Sequence, residues 1–168
     1  MFLDFLRNNT IAAGILTILR IYLGWNWMTA GWGKLTGDGG FSAQGFLTGA
    51  VNNEAVMENY PTYHAFIDNI VLPNVDLFSF MVSWGQFLVG LGLLLGVLTT
   101  AAAFFGMTMN FAFMFAGTVS SNPWMVLLTF FVVVAGYNAG KFGGDRWVIP
   151  YLRETLFKKI FKKQKNTA

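Results

Sequence analysis

The strongest candidate for chemistry is a single arginine inside a long apolar run. Arg20 lies near the centre of the run that begins at about Ile11. A charge at the centre of a membrane span costs about 2.5–3.5 kcal/mol or more, so such a residue is expected to face the bundle interior. Gln86, Asn110 and Thr129 lie at similar depths in three later apolar runs. Two interpretations stay open: a hydrogen-bonded network that holds the helices together, or a polar pocket whose guanidinium binds a carbonyl or anionic oxygen.

A second group of candidates lies near the end of the first apolar run. It consists of Trp25, Asn26, Trp27 and, one to two turns later, Lys34. Tryptophans at this level commonly form an interfacial belt. The alternative is an aromatic wall for a flat ligand such as a quinone ring, with Asn26 as a polar contact and Lys34 at the mouth. The predicted ligand pocket therefore contains Arg20, Trp25, Asn26, Trp27, Lys34, Gln86 and Asn110.

A third group follows the last apolar run. Lys141, Asp145 and Arg146 are close in sequence and predict a charged cluster at the inner membrane face. One interpretation is simple helix termination at two glycines, with Asp145 paired to a neighbouring base. The other is a functional motif, because this is the most motif-like stretch of the chain.

The chain has one histidine, His64, and no cysteine. These counts exclude a disulfide framework, an iron–sulfur cluster, cysteine-ligated haem, and bis-histidine haem within one protomer. They also give no support to a metal site. We therefore expect no covalently bound cofactor. Any electrons would reside on a diffusible carrier, such as membrane quinone, or on a partner protein.

Four apolar runs must position these residues. Of the 168 residues, 55% are hydrophobic and only 11% are charged, whereas a soluble domain carries about 25% charged residues. Each run approaches the length of about 20 residues that crosses a bilayer. The predicted spans are residues 11–33, 77–98, 101–119 and 124–139. Asn9 and Thr10 are expected to cap the first span, and 99–100 is expected to form a short turn.

The distribution of charge predicts the orientation. Residues 35–140 contain no lysine or arginine, although they contain five acidic residues. Basic residues near span ends remain cytoplasmic, so both termini are predicted to be cytoplasmic in a multi-pass plasma-membrane protein. The lysines after residue 151 form a basic cytoplasmic tail over 151–168, which suits anionic membrane lipid better than nucleic acid.

The segment 36–75 is predicted to be an outer loop with one or two short interfacial helices. Tyr63, Phe66, Ile67 and Ile70 recur at helical spacing within it. The expected fold is therefore an all-α integral membrane protein, a four-transmembrane-helix bundle in one domain spanning 1–168. Glycine pairs at 33/37, 92/96 and 136/140 have the spacing of close helix contacts, either within the bundle or in a homodimer.

Short motifs in the first, second and last runs resemble one known family. Residues 20–24 (RIYLG), 30–35 (AGWGKL), 84–99 and 136–150 are similar in order and spacing to the DoxX/DoxD family of small four-span membrane proteins. Arg20, Lys34, Lys141 and Asp145 fall on polar motif positions of that family. Many members carry a glutamate where this chain has Gln86, and a glutamine does not transfer a proton.

The resemblance implies a quinone-interacting membrane subunit, like the DoxD subunit of thiosulfate:quinone oxidoreductase. Such a subunit would pass electrons from a small reductant such as thiosulfate, or from a partner protein subunit, to membrane quinone. The link to redox stress is part of the same resemblance. Two other hypotheses for the function remain: a non-catalytic scaffold that recruits redox or stress-response enzymes, and a small transporter built around Arg20.

Overall fold

Helices joined by short turns and loops make up the described part of the protein, which contains no strand. The computed structural model describes the backbone of residues 1–165 and the side chains of residues 1–155. The helices are α1 (Phe2–Asn8), α2 (Thr10–Thr36), α3 (Gln44–Val51), α4 (Glu54–Asn59), α5 (Pro61–Phe66), α6 (Val75–Leu95), α7 (Thr99–Phe115), α8 (Asn122–Ala135), α9 (Tyr137–Gly140) and α10 (Asp145–Lys165). A π-helix (Ile67–Val71) and a 3-10 turn (Leu72–Asn74) join α5 to α6. The all-α prediction is confirmed. The lysines of the predicted basic tail, at 158, 159, 162, 163 and 165, lie outside the residues whose side chains are described.

Among the described residues, two helices are long and apolar enough to cross a membrane. They are α2 and the continuous helical segment Pro61–Leu95, which is 35 residues long and includes α6. The apolar helices α7 and α8 have 17 and 14 residues, or about 25 and 21 Å at the α-helical rise. The second predicted span is therefore longer at its start than expected, and the third and fourth are shorter.

The four long apolar helices expose apolar side chains on their outer surfaces. Examples are Ile18 on α2, Leu88 on α6, Phe105 on α7 and Phe130 on α8, all of which are more than half exposed. A soluble monomer rarely exposes so much contiguous apolar surface. This is the surface expected of a membrane protein.

Close contact between α2 and α6 depends on glycine. A Cβ added at Gly90 would overlap the Met28 backbone, and one at Gly31 would overlap the Phe87 backbone. A Cβ at Gly24 would lie 2.8 Å from the Leu94 nitrogen. The predicted pair 33/37 does not make this contact, since Gly33 has open space around its Cβ position. Gly92 of the second pair packs against Ala102 of α7.

The turn between α6 and α7 lies earlier than predicted. Gly96 ends α6 in the left-handed conformation with φ 64°, and Leu98 also has a positive φ of 50°. As a result α7 begins at Thr99, which was predicted to lie in the turn. At the start of α2 the predicted cap is confirmed for Asn9, whose Oδ1 accepts hydrogen bonds from the Ile11 and Ala12 nitrogens at 2.7 and 3.2 Å. Thr10 is the first residue of the helix instead of a cap.

The segment 36–75 contains three short α-helices followed by the π-helix, instead of the one or two helices expected. A hydrophobic cluster joins these short helices to the end of α7. It consists of Ala43, Leu47, Ala50, Ile67, Val71 and Ala116. Tyr63 donates a hydrogen bond to the Ala112 oxygen at 2.9 Å. These contacts fix the short helices against one end of α6 and α7, here called the α3–α5 end.

Candidate functional site

An apolar cavity of about 360 Å³ lies at the α3–α5 end, between the short helices and the bundle. Aromatic rings supply much of its wall: Phe41, Phe46, Tyr63, Phe66, Phe78 and Phe113. Leu47, Ile67, Val71, Val82 and three alanines fill the gaps between the rings. Only two side chains with strongly polar groups, Lys34 and Gln86, complete the lining. The cavity is therefore largely aromatic, and its polar groups are the Lys34 ammonium, the Gln86 amide and the Tyr63 hydroxyl, which is bonded to the Ala112 oxygen.

Lys34 enters the cavity wall from the last turn of α2. Its Nζ lies 3.4 Å from the Ala30 oxygen and 5.2 Å from the centre of the Phe41 ring. No described carboxylate lies within 4.0 Å of this ammonium, since the one ion pair among the described residues joins the Met1 amine to Asp4. Lys34 can therefore donate hydrogen bonds to a molecule in the cavity.

Gln86 enters the same cavity from the middle of α6 and is almost fully buried. Its Oε1 has no hydrogen-bond partner among the described residues. Asn110 of α7 is also fully buried, and neither of its amide atoms is paired. Because Gly85 faces the Met109 sulfur, Gln86 and Asn110 lie at adjacent levels of α6 and α7. Thr129 of α8 is a further buried residue with an unpaired hydroxyl.

Arg20 lies away from the cavity. It is only 2% exposed, and its Nη1 donates to the Leu93 and Leu94 oxygens at 2.5 and 2.9 Å. These are carbonyls of the last turn of α6, which lack partners within that helix. The predicted hydrogen-bonded network of Arg20 with Gln86 and Asn110 is wrong, because the guanidinium reaches the end of α6 instead of its middle.

Asp145 completes this second location, here called the Arg20 end. Its carboxylate is 2% exposed and accepts hydrogen bonds from the Leu98 and Thr99 nitrogens at 2.6 and 3.0 Å. It therefore caps the start of α7, where an anion is favoured. The Gly144 and Asp145 nitrogens donate to the Leu95 and Gly96 oxygens at 3.0 and 2.7 Å.

The predicted charged cluster of Lys141, Asp145 and Arg146 is not formed. Docking of residues 144–145 against the α6–α7 turn places the Asp145 carboxylate on the Leu98 and Thr99 nitrogens, and neither described base lies within 4.0 Å of it. Lys141 Nζ lies 3.4 Å from the Thr10 hydroxyl. Arg146 is exposed, with its guanidinium 5.0 Å from the centre of the Trp147 ring.

A comparison with family models places these residues in a known group. The model of the DoxX family matches residues 15–118, more than half of the chain. The chain belongs to the DoxX family. DoxX proteins are membrane proteins, in agreement with the exposed apolar surface. No curated protein and no solved structure matches the chain.

The DoxX match includes both groups of the cavity, Lys34 and Gln86, and also Arg20. Asp145 lies beyond the matched residues. Within the described residues, no three histidine or acidic side chains lie together as metal ligands. Among the described residues that line the cavity, the ammonium of Lys34 and the amide of Gln86 are the strongly polar groups.

Trp25 and Trp27, the candidates for an aromatic wall, do not line the cavity of this DoxX protein. Trp25 is 60% exposed and borders a separate surface groove with Met28 and Trp32. Trp27 is 3% exposed and buried near Gly106. Asn26 donates to the Tyr22 oxygen of its own helix at 2.8 Å. The structure thus brings two of the seven predicted pocket residues, Lys34 and Gln86, into one cavity.

The aromatic wall of the cavity was not predicted from the sequence. One signal was present: Tyr63, Phe66 and Ile67 belong to the helical pattern recognised in the outer segment, and all three line the cavity. Phe41, Phe46 and Phe113 carried no such pattern. Their shared position depends on how α3 and the end of α7 pack together.

Proposed function

We propose that this DoxX protein is a quinone-interacting membrane subunit that binds the quinone ring in the cavity at the α3–α5 end. The observation that carries the proposal is the aromatic cavity with Lys34 and Gln86 as its polar groups. Its volume of about 360 Å³ falls within the range of about 300–1,000 Å³ typical of small-molecule sites. Flat rings gain offset or edge-to-face contacts with aromatic walls of this kind.

The polar groups suit the oxygens of a quinone. A carbonyl oxygen accepts a hydrogen bond from the Lys34 ammonium or from the Gln86 amide. Reduction adds two electrons and two protons, and negative charge develops on these oxygens as the electrons arrive. A cation placed beforehand in an apolar site stabilises such charge more strongly than water does.

The electrons must come from outside this chain. It has no cysteine and a single histidine, so no iron–sulfur cluster or bis-histidine haem is held within one protomer. A redox partner subunit, or two ions of a small reductant such as thiosulfate losing one electron each, would supply the two electrons for each quinone reduced to quinol, and water would supply the two protons. The role of this chain is then to hold the acceptor ring.

The same proposal includes a four-span topology in the plasma membrane with both termini cytoplasmic. Helices α2, α6, α7 and α8 are the spans, and the cavity lies near the outer face. The absence of native cysteine allows single-cysteine labelling. With a membrane-impermeant maleimide on intact cells, Glu58→Cys is expected to react and Arg153→Cys to react only after permeabilisation. Labelling of both positions from the same side would contradict three spans between them.

Filling the cavity is expected to abolish quinone binding. Val82 lines the cavity, whereas its neighbour Met81 is exposed on the outer surface of α6. A short-chain ubiquinone or menaquinone analogue at 100 times its dissociation constant should stabilise the wild type by about 2.7 kcal/mol. The Val82→Trp variant should lose this stabilisation, and the Met81→Trp control should keep it. The measurement is thermal unfolding in detergent with and without the analogue.

Two outcomes would contradict the proposal. If the wild type is not stabilised by either quinone, the result favours the non-catalytic scaffold instead. If Val82→Trp and Met81→Trp respond alike, the quinone binds elsewhere. Unchanged unfolding of both variants without ligand is the control for folding.

A further inference from the structure

Lys34 lines the cavity, and no described carboxylate lies within 4.0 Å of its ammonium. Asp76 lines a neighbouring groove together with Lys34, but its carboxylate is not within 4.0 Å of the Nζ. The phenol of Tyr63, which lines the cavity, is already engaged with the Ala112 oxygen at 2.9 Å. The charge of Lys34 is therefore not neutralised by the groups around the cavity.

The surroundings of Lys34 strengthen its interaction with a ligand. Aromatic and aliphatic side chains make up the rest of the wall apart from Gln86. Such a wall lowers the local dielectric, and charge–charge interactions grow accordingly. A hydrogen bond from an ammonium to an anionic oxygen is also roughly twice as strong as one between neutral groups.

We propose that the cavity selects lipophilic aromatic acids in their deprotonated form, such as ring-hydroxylated quinones, with the phenolate-type oxygen bound by Lys34. This inference rests on the proposed function and narrows its ligand class. Aromatic walls alone also suit a quaternary ammonium ion, but the ammonium of Lys34 repels a second cation. The amide of Gln86 serves a ring oxygen of either charge state and gives no such selection.

A matched pair of ligands tests the selection. The probes are 2-hydroxy-1,4-naphthoquinone, an anion at neutral pH, and its neutral methyl ether, 2-methoxy-1,4-naphthoquinone. Dissociation constants are measured by calorimetry with the full chain in detergent. The wild type is expected to bind the hydroxy compound at least about tenfold more tightly, which corresponds to about 1.4 kcal/mol.

Variants separate the cavity charge from general electrostatics. Lys34→Gln is expected to bind both compounds with similar affinity, and Lys34→Arg is expected to keep the preference for the anion. Lys141→Gln removes a base at the Arg20 end and should also keep it. Each variant is first shown to unfold at the wild-type temperature without ligand. If Lys34→Gln does not, Lys34→Met replaces it, and the wild type is also measured at a pH below the pKa of the hydroxy compound, where the protonated compound should lose its advantage over the methyl ether.

The outcomes distinguish this inference from the function on which it rests. Equal affinity of the wild type for both compounds would overturn the inference and leave quinone binding in place. The same conclusion follows if Lys34→Gln keeps the full preference. If neither compound binds, both the inference and the proposed function fail.

Discussion

Replacing Arg20 with alanine is expected to lower the free energy of unfolding by about 3–5 kcal/mol, with no ligand present. The guanidinium is the hydrogen-bond donor to two carbonyls at the end of α6. Leaving a buried acceptor without its partner costs about 1–3 kcal/mol, and the substitution also removes a large buried side chain. Gly96 and Gly143 pack so closely on the guanidinium that a Cβ at either position would lie 2.7–2.8 Å from it.

Unfolding of the purified protein in detergent, followed by circular dichroism, measures the effect. Arg20→Lys is expected to retain part of the stability, because an ammonium keeps the charge but lacks the planar set of donors. Arg153→Ala, at an exposed position, is the control and should change little. If Arg20→Ala unfolds like the wild type but no longer binds quinone, Arg20 is a ligand-binding residue and the structural role is wrong.

Replacing Gly90 with alanine is expected to have the second large effect, a loss of about 3 kcal/mol. The added Cβ would overlap the backbone of Met28 on α2. Backbone atoms cannot rotate away as the end of a side chain can, so the helices must separate. Overpacking of a dense core costs about 1–3 kcal/mol and occasionally more.

Gly33→Ala is the matched control for this change. The substitution is chemically the same and also lies in a helix, but the position has open space around its Cβ. It should be neutral or stabilise the protein by up to about 1 kcal/mol, because alanine favours a helix. Both variants are compared by the same detergent unfolding assay. Equal stability of the two would show that α2 and α6 do not pack as described.

For Arg20, the sequence predicts burial but does not identify the hydrogen-bond partner. An arginine in the middle of an apolar run predicts burial and a partner, and it is indeed almost fully buried. Its partner could not be found from side-chain types, because the acceptors are the backbone oxygens of two leucines. Every residue has such an oxygen. These two can accept a hydrogen bond from Arg20 because they lie in the last turn of α6, where carbonyls have no partner within the helix.

For the cavity, the sequence predicts one wall but not the wall that faces it. The helical period of residues 63–67 predicted an apolar face, which does line the cavity. The partner wall comes from α3, α6 and α7, whose arrangement depends on packing between segments distant in sequence. Trp25 and Trp27 point to different sides of α2, because two positions along a helix turn a side chain by about 200°. One is therefore exposed and the other buried.

The contact between Arg20 and the end of α6 also constrains how the protein is made. Its acceptor carbonyls lie 73 and 74 residues further along the chain. On the proposed topology, a nascent chain that has not yet reached Leu93 holds a charged first span with no internal acceptors. Such a span enters lipid at a cost of about 2.5–3.5 kcal/mol. Stable release into the bilayer is therefore favoured only after α6 has been synthesised, so that biogenesis proceeds through a helical pair instead of one helix at a time.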